Sequence, residues 1–143
     1  MFYEKIHPQS CGRTKKKYLA CEIKYIMPEL IPSPKLFPQD DIVIEEFFGL
    51  ISSGQKDVSF CRIRCEAGWS EPPQRPEFDE YMIVLSGTLS IAGKNGVTVV
   101  RAGQAAKAAK GERVQYSTPS EACDYISLCV PAFDIEWTHR EKI

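Results

Sequence analysis

Gly68-Trp69-Ser70-Glu71-Pro72-Pro73-Gln74-Arg75-Pro76-Glu77-Phe78-Asp79-Glu80-Tyr81-Met82-Ile83-Val84-Leu85-Ser86-Gly87 is the stretch whose reading decides the fold. Glycines bound it, prolines break its first half, and β-favouring residues fill its second half, so it predicts a turn, an extended loop and a strand. Strand side chains alternate between two faces. If Glu80 points into a core, then Gln74, Pro76, Phe78, Met82 and Val84 share its parity, allowing for a kink at the prolines, while Tyr81, Ile83 and Leu85 face outward. A strand apolar on both faces needs cover from a second layer or a neighbouring subunit, and a homodimer is the expected cover.

Residues from Asp40 onward read as short strands rich in Val, Ile, Phe and Tyr, separated by Gly, Asn and Ser turns at regular spacing. That is the pattern of an all-β sandwich or barrel. Strands are expected near 42–52, 57–65, 80–86, 88–93, 97–101, 104–108, 112–117 and 123–130, with a hairpin at Lys94-Asn95-Gly96, where Asn-Gly tolerates positive φ. The tail from Ile135 to Ile143 reads as a last strand or a single helical turn. Residues 1–39 hold five of the ten prolines, including Pro28, Pro32, Pro34 and Pro38, and are expected to be an extended N-terminal arm to a barrel domain spanning 40–143.

The stretch resembles the first cupin motif, G-x5-H-x-H-x3-E-x6-G, and fits it at every spacing, with Gln74 and Pro76 at the two histidine places and Glu80 at the glutamate place. Gly103-Gln104-Ala105-Ala106-Lys107-Ala108-Ala109-Lys110-Gly111-Glu112-Arg113-Val114-Gln115-Tyr116-Ser117-Thr118 is similar to the second motif, G-x5-P-x-G-x2-H-x3-N. Gly103 and Gly111 keep their places there; Ala109 replaces the proline, Val114 the histidine and Thr118 the asparagine. The resemblance covers about residues 57–131. It implies a cupin barrel, the double-stranded β-helix or jelly roll, with an arm that lays a strand against a partner subunit. The wording around Glu71–Glu80, Tyr116-Ser117-Thr118-Pro119, Val130-Pro131-Ala132-Phe133 and Thr138-His139-Arg140 also looks like a set of small single-domain cupins. Cupins include isomerases, epimerases, lyases, cyclases, dioxygenases, decarboxylases and binders, so the family does not choose the chemistry.

Composition narrows the setting. A chain of 143 residues fits one domain. Its net charge of −1 argues against a general nucleic-acid or membrane-surface binder. Residues 1–39 carry seven Lys or Arg against three acids, hence +4, and the cluster Arg13, Lys15, Lys16, Lys17 reads as a solvated arm. The N-terminus lacks the apolar core of a secretory signal and no run is long enough to span a membrane, so a cytoplasmic location is expected. Six cysteines (Cys11, Cys21, Cys61, Cys65, Cys123, Cys129) form no C-x-x-C pair and are expected to be reduced; Cys61 and Cys65 share the parity of Ile63 and read as buried.

The family's usual centre holds a divalent metal with three histidines and one glutamate. This chain has two histidines, His7 and His139, so no three-histidine site can form within it. A divalent metal is therefore disfavoured; a replacement set would draw on Glu71, Gln74 and Glu80, with His139 as the one imidazole. The expected chemistry is carboxylate acid–base catalysis. A glutamate pointing into a barrel lined by Phe78, Met82, Val84 and Val114 is desolvated, which raises its pKa into the range useful for proton transfer. Glu80, Glu71 and Tyr116 are the expected catalytic residues, and Gln74, Phe78, Met82, Val114 and His139 the expected binding residues for a small polar molecule. This pattern fits an isomerase, epimerase, cyclase or lyase. The alternatives are a non-catalytic ligand-binding module and, for Glu80, a structural ion pair with Arg62, Arg64 or Arg113.

Overall fold

A computed structural model describes residues 28–142. The chain divides into two units, Met1–Leu30 and Ile31–Ile143; of the first, only residues 28–30 are described. His7, Cys11, Cys21, the basic cluster and most of the expected arm lie outside the described residues. The last residues of that expected arm, Lys35–Gln39, form strand β1 and pair in continuous register with β2, Ile42–Phe48. Pro38 is compatible with this because β1 is a terminal strand of its sheet, where a missing donor breaks no ladder on the open side.

Every strand pairing is antiparallel. β2 pairs with β3 (Ser59–Cys65), β3 with β8 (Cys123–Val130), and β8 with the first half of β4 (Asp79–Gly93). β4 is shared between two surfaces: residues 79–87 pair with β8 and with β6 (Ala105–Ala108), while residues 88–93 pair with β5 (Gly96–Arg101) and β7 (Gln115–Ser117). Two strands expected at 80–86 and 88–93 are thus one, bent at a register shift between Val84 and Ser86. Gly87 makes the bend. Its φ is +74°, and a Cβ there would collide with the Ala122 carbonyl of the adjacent chain. The other three motif glycines, Gly68, Gly103 and Gly111, also have positive φ, at 88°, 81° and 80°. The motif spacing is therefore a record of backbone turns that L side chains adopt poorly.

The β4 alternation holds as read: Glu80, Met82 and Val84 are buried, and Tyr81, Ile83 and Leu85 are 41%, 44% and 47% exposed. On β3 and β8 the same period buries Cys61, Ile63 and Cys65 against Cys123, Tyr125, Ser127 and Cys129. Cys61, Ile63, Cys65, Cys123 and Tyr125 join Met82, Leu89, Ile91 and Val100 in one hydrophobic cluster. After β8 the chain makes one 3-10 turn, Ile135–Thr138, whose first turn is capped by the Asp134 carboxylate accepting from the Glu136 amide. Backbone bonds from Arg75 to Thr138, from Glu77 to Trp137 and from Glu141 to Pro73 fasten this tail to the proline loop. No helix among the described residues is long and apolar enough to cross a membrane.

Candidate functional site

The strands close around a cavity of about 340 Å³. Its walls are largely aromatic and aliphatic, with Phe37, Ile44, Ile63, Trp69, Phe78 and Tyr125 among them, and Phe78 packs on Phe133 at 5.6 Å between ring centres. Into this apolar space project Glu80, Glu71, Gln74 and Tyr116. The proline loop, β4 and β7 thus bring together four of the expected site residues.

Glu80, only 8% exposed, accepts a 2.6 Å hydrogen bond from Ser127 on the neighbouring strand β8. The arginines weighed as its structural partners are committed elsewhere: Arg62 to Asp124, Arg64 to Glu45 and Arg113 to Glu141. Burial without a cation pushes the Glu80 carboxyl above its ordinary range, with the Ser127 hydroxyl opposing the shift. Glu71 has both oxygens occupied. Gln74 Nε2 donates to Oε1 at 2.7 Å and Arg140 Nη2 to Oε2 at 3.2 Å. Desolvation lifts Glu71 to about 8, against the pull of the Arg140 guanidinium and with a further push from Glu80.

Two polar atoms in the cavity wall have no protein partner: Gln74 Oε1 and Tyr116 Oη. Both residues are 3% exposed. An unpaired buried acceptor costs ~1–3 kcal/mol, which a ligand that donates to it recovers. Tyr116 is held neutral by burial and by the nearby Glu80 carboxyl. The cavity thiols are poor nucleophiles for the same reason: burial, then Glu46 and Glu80, push Cys61 up to about 12.

The structure places three expected binding residues apart from this cavity. Met82 packs in the hydrophobic cluster and does not line it. Val114 is buried by its backbone pairing with Gln74, and its far side borders a second groove near Arg75 and Lys94. His139 sits outside on the tail, half exposed, with Nε2 2.6 Å from Glu77 Oε1. It occupies a left-handed position, φ 48°, at the end of the 3-10 turn, and this twist carries Arg140 to the cavity.

Arg140, Ser127 and Glu46 complete the site without having been singled out from the sequence. Glu46 is buried at the cavity wall, and its Oε1 accepts from the amides of Ile51 and Ser52, at 3.2 and 2.8 Å, so it suspends the loop that brings Ile51 over the opening. The parity Ile42, Ile44, Glu46 was the available signal for an inward carboxylate.

A divalent transition metal does not fit these residues. Pro76 and Val114 offer no donor at two of the four family positions, Glu71 is held by Gln74 and Arg140, and what is left at the other two is a single amide oxygen of Gln74 and one oxygen of Glu80, whose Oε1 is taken by Ser127. Among the described residues no group of three His, Cys, Asp or Glu side chains is placed to hold a metal ion.

The bent, shared β4 strand, the antiparallel strands paired around it and the cavity open at one side define a cupin fold. Solved structures agree: the chain superposes on the EutQ protein of Clostridium difficile with a TM-score of 0.56 at 20% identity, over 71% of this chain and 73% of that one. EutQ from Salmonella typhimurium gives 0.56 at 16% identity, over 64% and 71%. Oxalate decarboxylase from Bacillus subtilis gives 0.65 at 10% identity, over 77% of this chain and 30% of that one. These likenesses show the fold alone. No family model matches the chain. Among curated proteins it is 44% identical over 109 residues to Endoribonuclease YbeY of Myxococcus xanthus, an alignment that takes 75% of this chain and 37% of that protein. The chain thus matches little more than a third of that relative's length.

Proposed function

We propose that this protein binds a small molecule in the β-barrel cavity and moves a proton on it, as an isomerase, epimerase, cyclase or lyase does, with Glu80 as the central acid–base group. The observation that carries this reading is a buried carboxyl without a cation, set among orphaned polar atoms in an apolar cavity. A carboxyl whose affinity for protons is raised by burial is a better proton donor and acceptor near neutral pH than an ordinary one. Glu71 serves as the second carboxyl, with its anion favoured by Arg140, and the Tyr116 hydroxyl as a donor to developing negative charge. One group removes a proton from carbon; returning it to the same or a neighbouring atom gives epimerisation or isomerisation, and giving it to a departing group as that group's bond to the adjacent carbon breaks gives elimination, all without redox chemistry.

Phe78 and Gln74 hold the ligand in this reading. The endoribonuclease activity named for the Myxococcus relative is not part of it, because the match spans 37% of that protein and the cavity is too small and apolar for a polynucleotide. The outward row Tyr81, Ile83 and Leu85 supports a second copy of the chain as its cover, making the working unit a homodimer.

The test is exchange in deuterium oxide. Mixtures of small metabolites are incubated with the protein and followed by proton NMR, which detects abstraction of a carbon-bound proton even when no net product accumulates. Glu80-dependent loss of a C–H signal, absent with Glu80→Gln, is the expected result. Ligands that bind in the cavity yet show neither exchange nor product would overturn the catalytic reading in favour of a non-catalytic binding module.

A further inference from the structure

Besides Gln39 at the rim and the serines Ser70 and Ser127, whose hydroxyls are engaged with Gln115 and Glu80, the polar side chains that line the cavity are mostly acceptors. Gln74 presents its amide oxygen, because its nitrogen is spent on Glu71. Glu46, Glu71 and Glu80 add three carboxyl groups, and Arg140, the one Lys or Arg in the lining, is bound to Glu71. The Tyr116 hydroxyl, unpartnered, can accept as readily as donate. Against these acceptors, six aromatic rings stand in the wall: Phe37, Trp69, Phe78, Tyr116, Tyr125 and Phe133.

Each feature points to the same ligand. An anion would meet three carboxyl groups and one guanidinium already committed. A neutral acceptor such as an ether or ketone would leave Gln74 Oε1 unsatisfied. A protonated amine supplies N–H donors to Gln74, Tyr116 and the free carboxyl oxygens, and its charge is stabilised by carboxylates and by the faces of aromatic rings. The volume of about 340 Å³ lies at the low end for ligand cavities, ~300–1,000 Å³, so the amine must carry only a compact apolar group.

We infer that the cavity takes a small organic cation, a protonated primary or secondary amine with a compact apolar or aromatic body, with Gln74 Oε1 and the Glu80 carboxyl as its acceptors and Glu71 as a neighbouring negative charge. The inference rests on the reading of this cavity as the ligand site, and it names the ligand class that the reading leaves open. Gln74 fixes the polarity of the site through a chain of contacts: Arg140 orients Glu71, Glu71 takes the amide nitrogen, and the amide oxygen is thereby turned toward the ligand.

Three probes of nearly equal shape test it by binding alone: 2-phenylethylamine, 2-phenylethanol and phenylacetate, titrated at low salt with the full chain and followed by NMR shifts and calorimetry. The amine is expected to bind at least tenfold more tightly than the alcohol, with phenylacetate weakest. Glu71→Gln and Glu80→Gln should each weaken the amine at least fivefold while changing the alcohol less than twofold. Alcohol binding equal to the amine, or phenylacetate binding best, overturns the cation class while leaving the cavity as a ligand site. Amine binding unchanged in both variants places it elsewhere and also overturns the inference, as does failure of all three probes to bind. If a variant fails to fold, the order of the three probes on the unaltered protein still decides. Proton exchange in the deuterium experiment stands or falls independently of these outcomes.

Discussion

Gln74 Nε2 donates to Glu71 Oε1 at 2.7 Å, and this single bond decides which end of the Gln74 amide faces the cavity. The bond depends on Arg140, which holds the other Glu71 oxygen from the tail. Arg140→Ala removes the one cation that opposes desolvation of Glu71, so the Glu71 carboxyl should titrate above its value of about 8. Carboxyl carbon NMR across a pH series measures this. A Glu71 titration that moves down, or stays where it is, would show that Arg140 does not govern the group.

Stability should fall as pH rises from about 5 to about 8.5. The direction follows from the raised affinity of Glu71 and Glu80 for protons. A carboxyl whose folded pKa lies above its unfolded value stabilises the fold fully below the unfolded value, and that contribution is lost as pH rises through the folded one. Asp79, Asp124 and Glu141 are lowered by Lys110 and Lys107, by Arg62 and by Arg113, and they act oppositely, losing their contribution only in acid. The optimum therefore lies on the acid side of neutral. Thermal melts should show a lower Tm at pH 8.5 than at pH 5.5, and combining Glu71→Gln with Glu80→Gln should flatten that slope; a Tm rising across the interval contradicts the assignment.

The cupin scaffold was legible because its signature residues are backbone devices. Gly68, Gly87, Gly103 and Gly111 sit at positive φ, and the inward parity of Glu80, Met82 and Val84 follows from the two-residue period. Glu80, Gln74 and Phe78 were reachable by the same parity and motif spacing and Tyr116 by its parity with Val114, whereas Glu71, of opposite parity, was reachable only as the nearest carboxylate in the proline loop. Arg140 and Ser127 were not. Ser127 meets Glu80 only because β8 pairs with β4 from more than forty residues away, and Arg140 arrives through a left-handed turn at His139. His139 drew the sequence reading because imidazole is the usual ligand, but the same turn directs it to Glu77 outside the cavity. Met82 shares parity with Glu80, yet parity selects a face of the strand and not the depth at which a cavity opens.

Gly87→Ala tests the bend in β4. The substitution places a methyl group against the Ala122 carbonyl at a φ of +74° that alanine adopts poorly. A loss of at least ~2 kcal/mol is expected in chemical denaturation. Gly96→Ala, where a Cβ would meet nothing within 4 Å, serves as the comparison and should cost less even at its positive φ. Equal losses at the two positions would mean that the close approach at Gly87 is relieved by movement of the 122–123 segment.

The proposed homodimer is tested on the outer face of β4. Ile83 is 44% exposed and lies opposite Ile126 on β8 and Ala105 on β6, at the centre of the row formed with Tyr81 and Leu85. Ile83→Lys should convert a dimer to a monomer in light scattering behind size exclusion, with a Tm that becomes independent of protein concentration. An unaltered protein that is monomeric at tens of micromolar would refute the assembly.

Glu80→Gln separates a proton-transfer role from a structural one. The Gln side chain keeps the shape of a protonated carboxyl, and its carbonyl oxygen still accepts from Ser127, so the bond made by Glu80 Oε1 survives. The amide cannot exchange a proton near neutral pH. Stability on the acid side should therefore change by no more than about 1 kcal/mol, because burial favours the protonated carboxyl that Gln mimics. At pH 8.5 the variant should melt above the unaltered protein, since it never places a charge in the apolar interior. Deuterium exchange into a bound ligand should drop at least a hundredfold, within the ~10²–10⁴-fold contribution of a general acid–base group. A variant that unfolds at both pH values would instead make Glu80 a structural residue, whereas retained exchange with intact folding would move the proton transfer to Glu71.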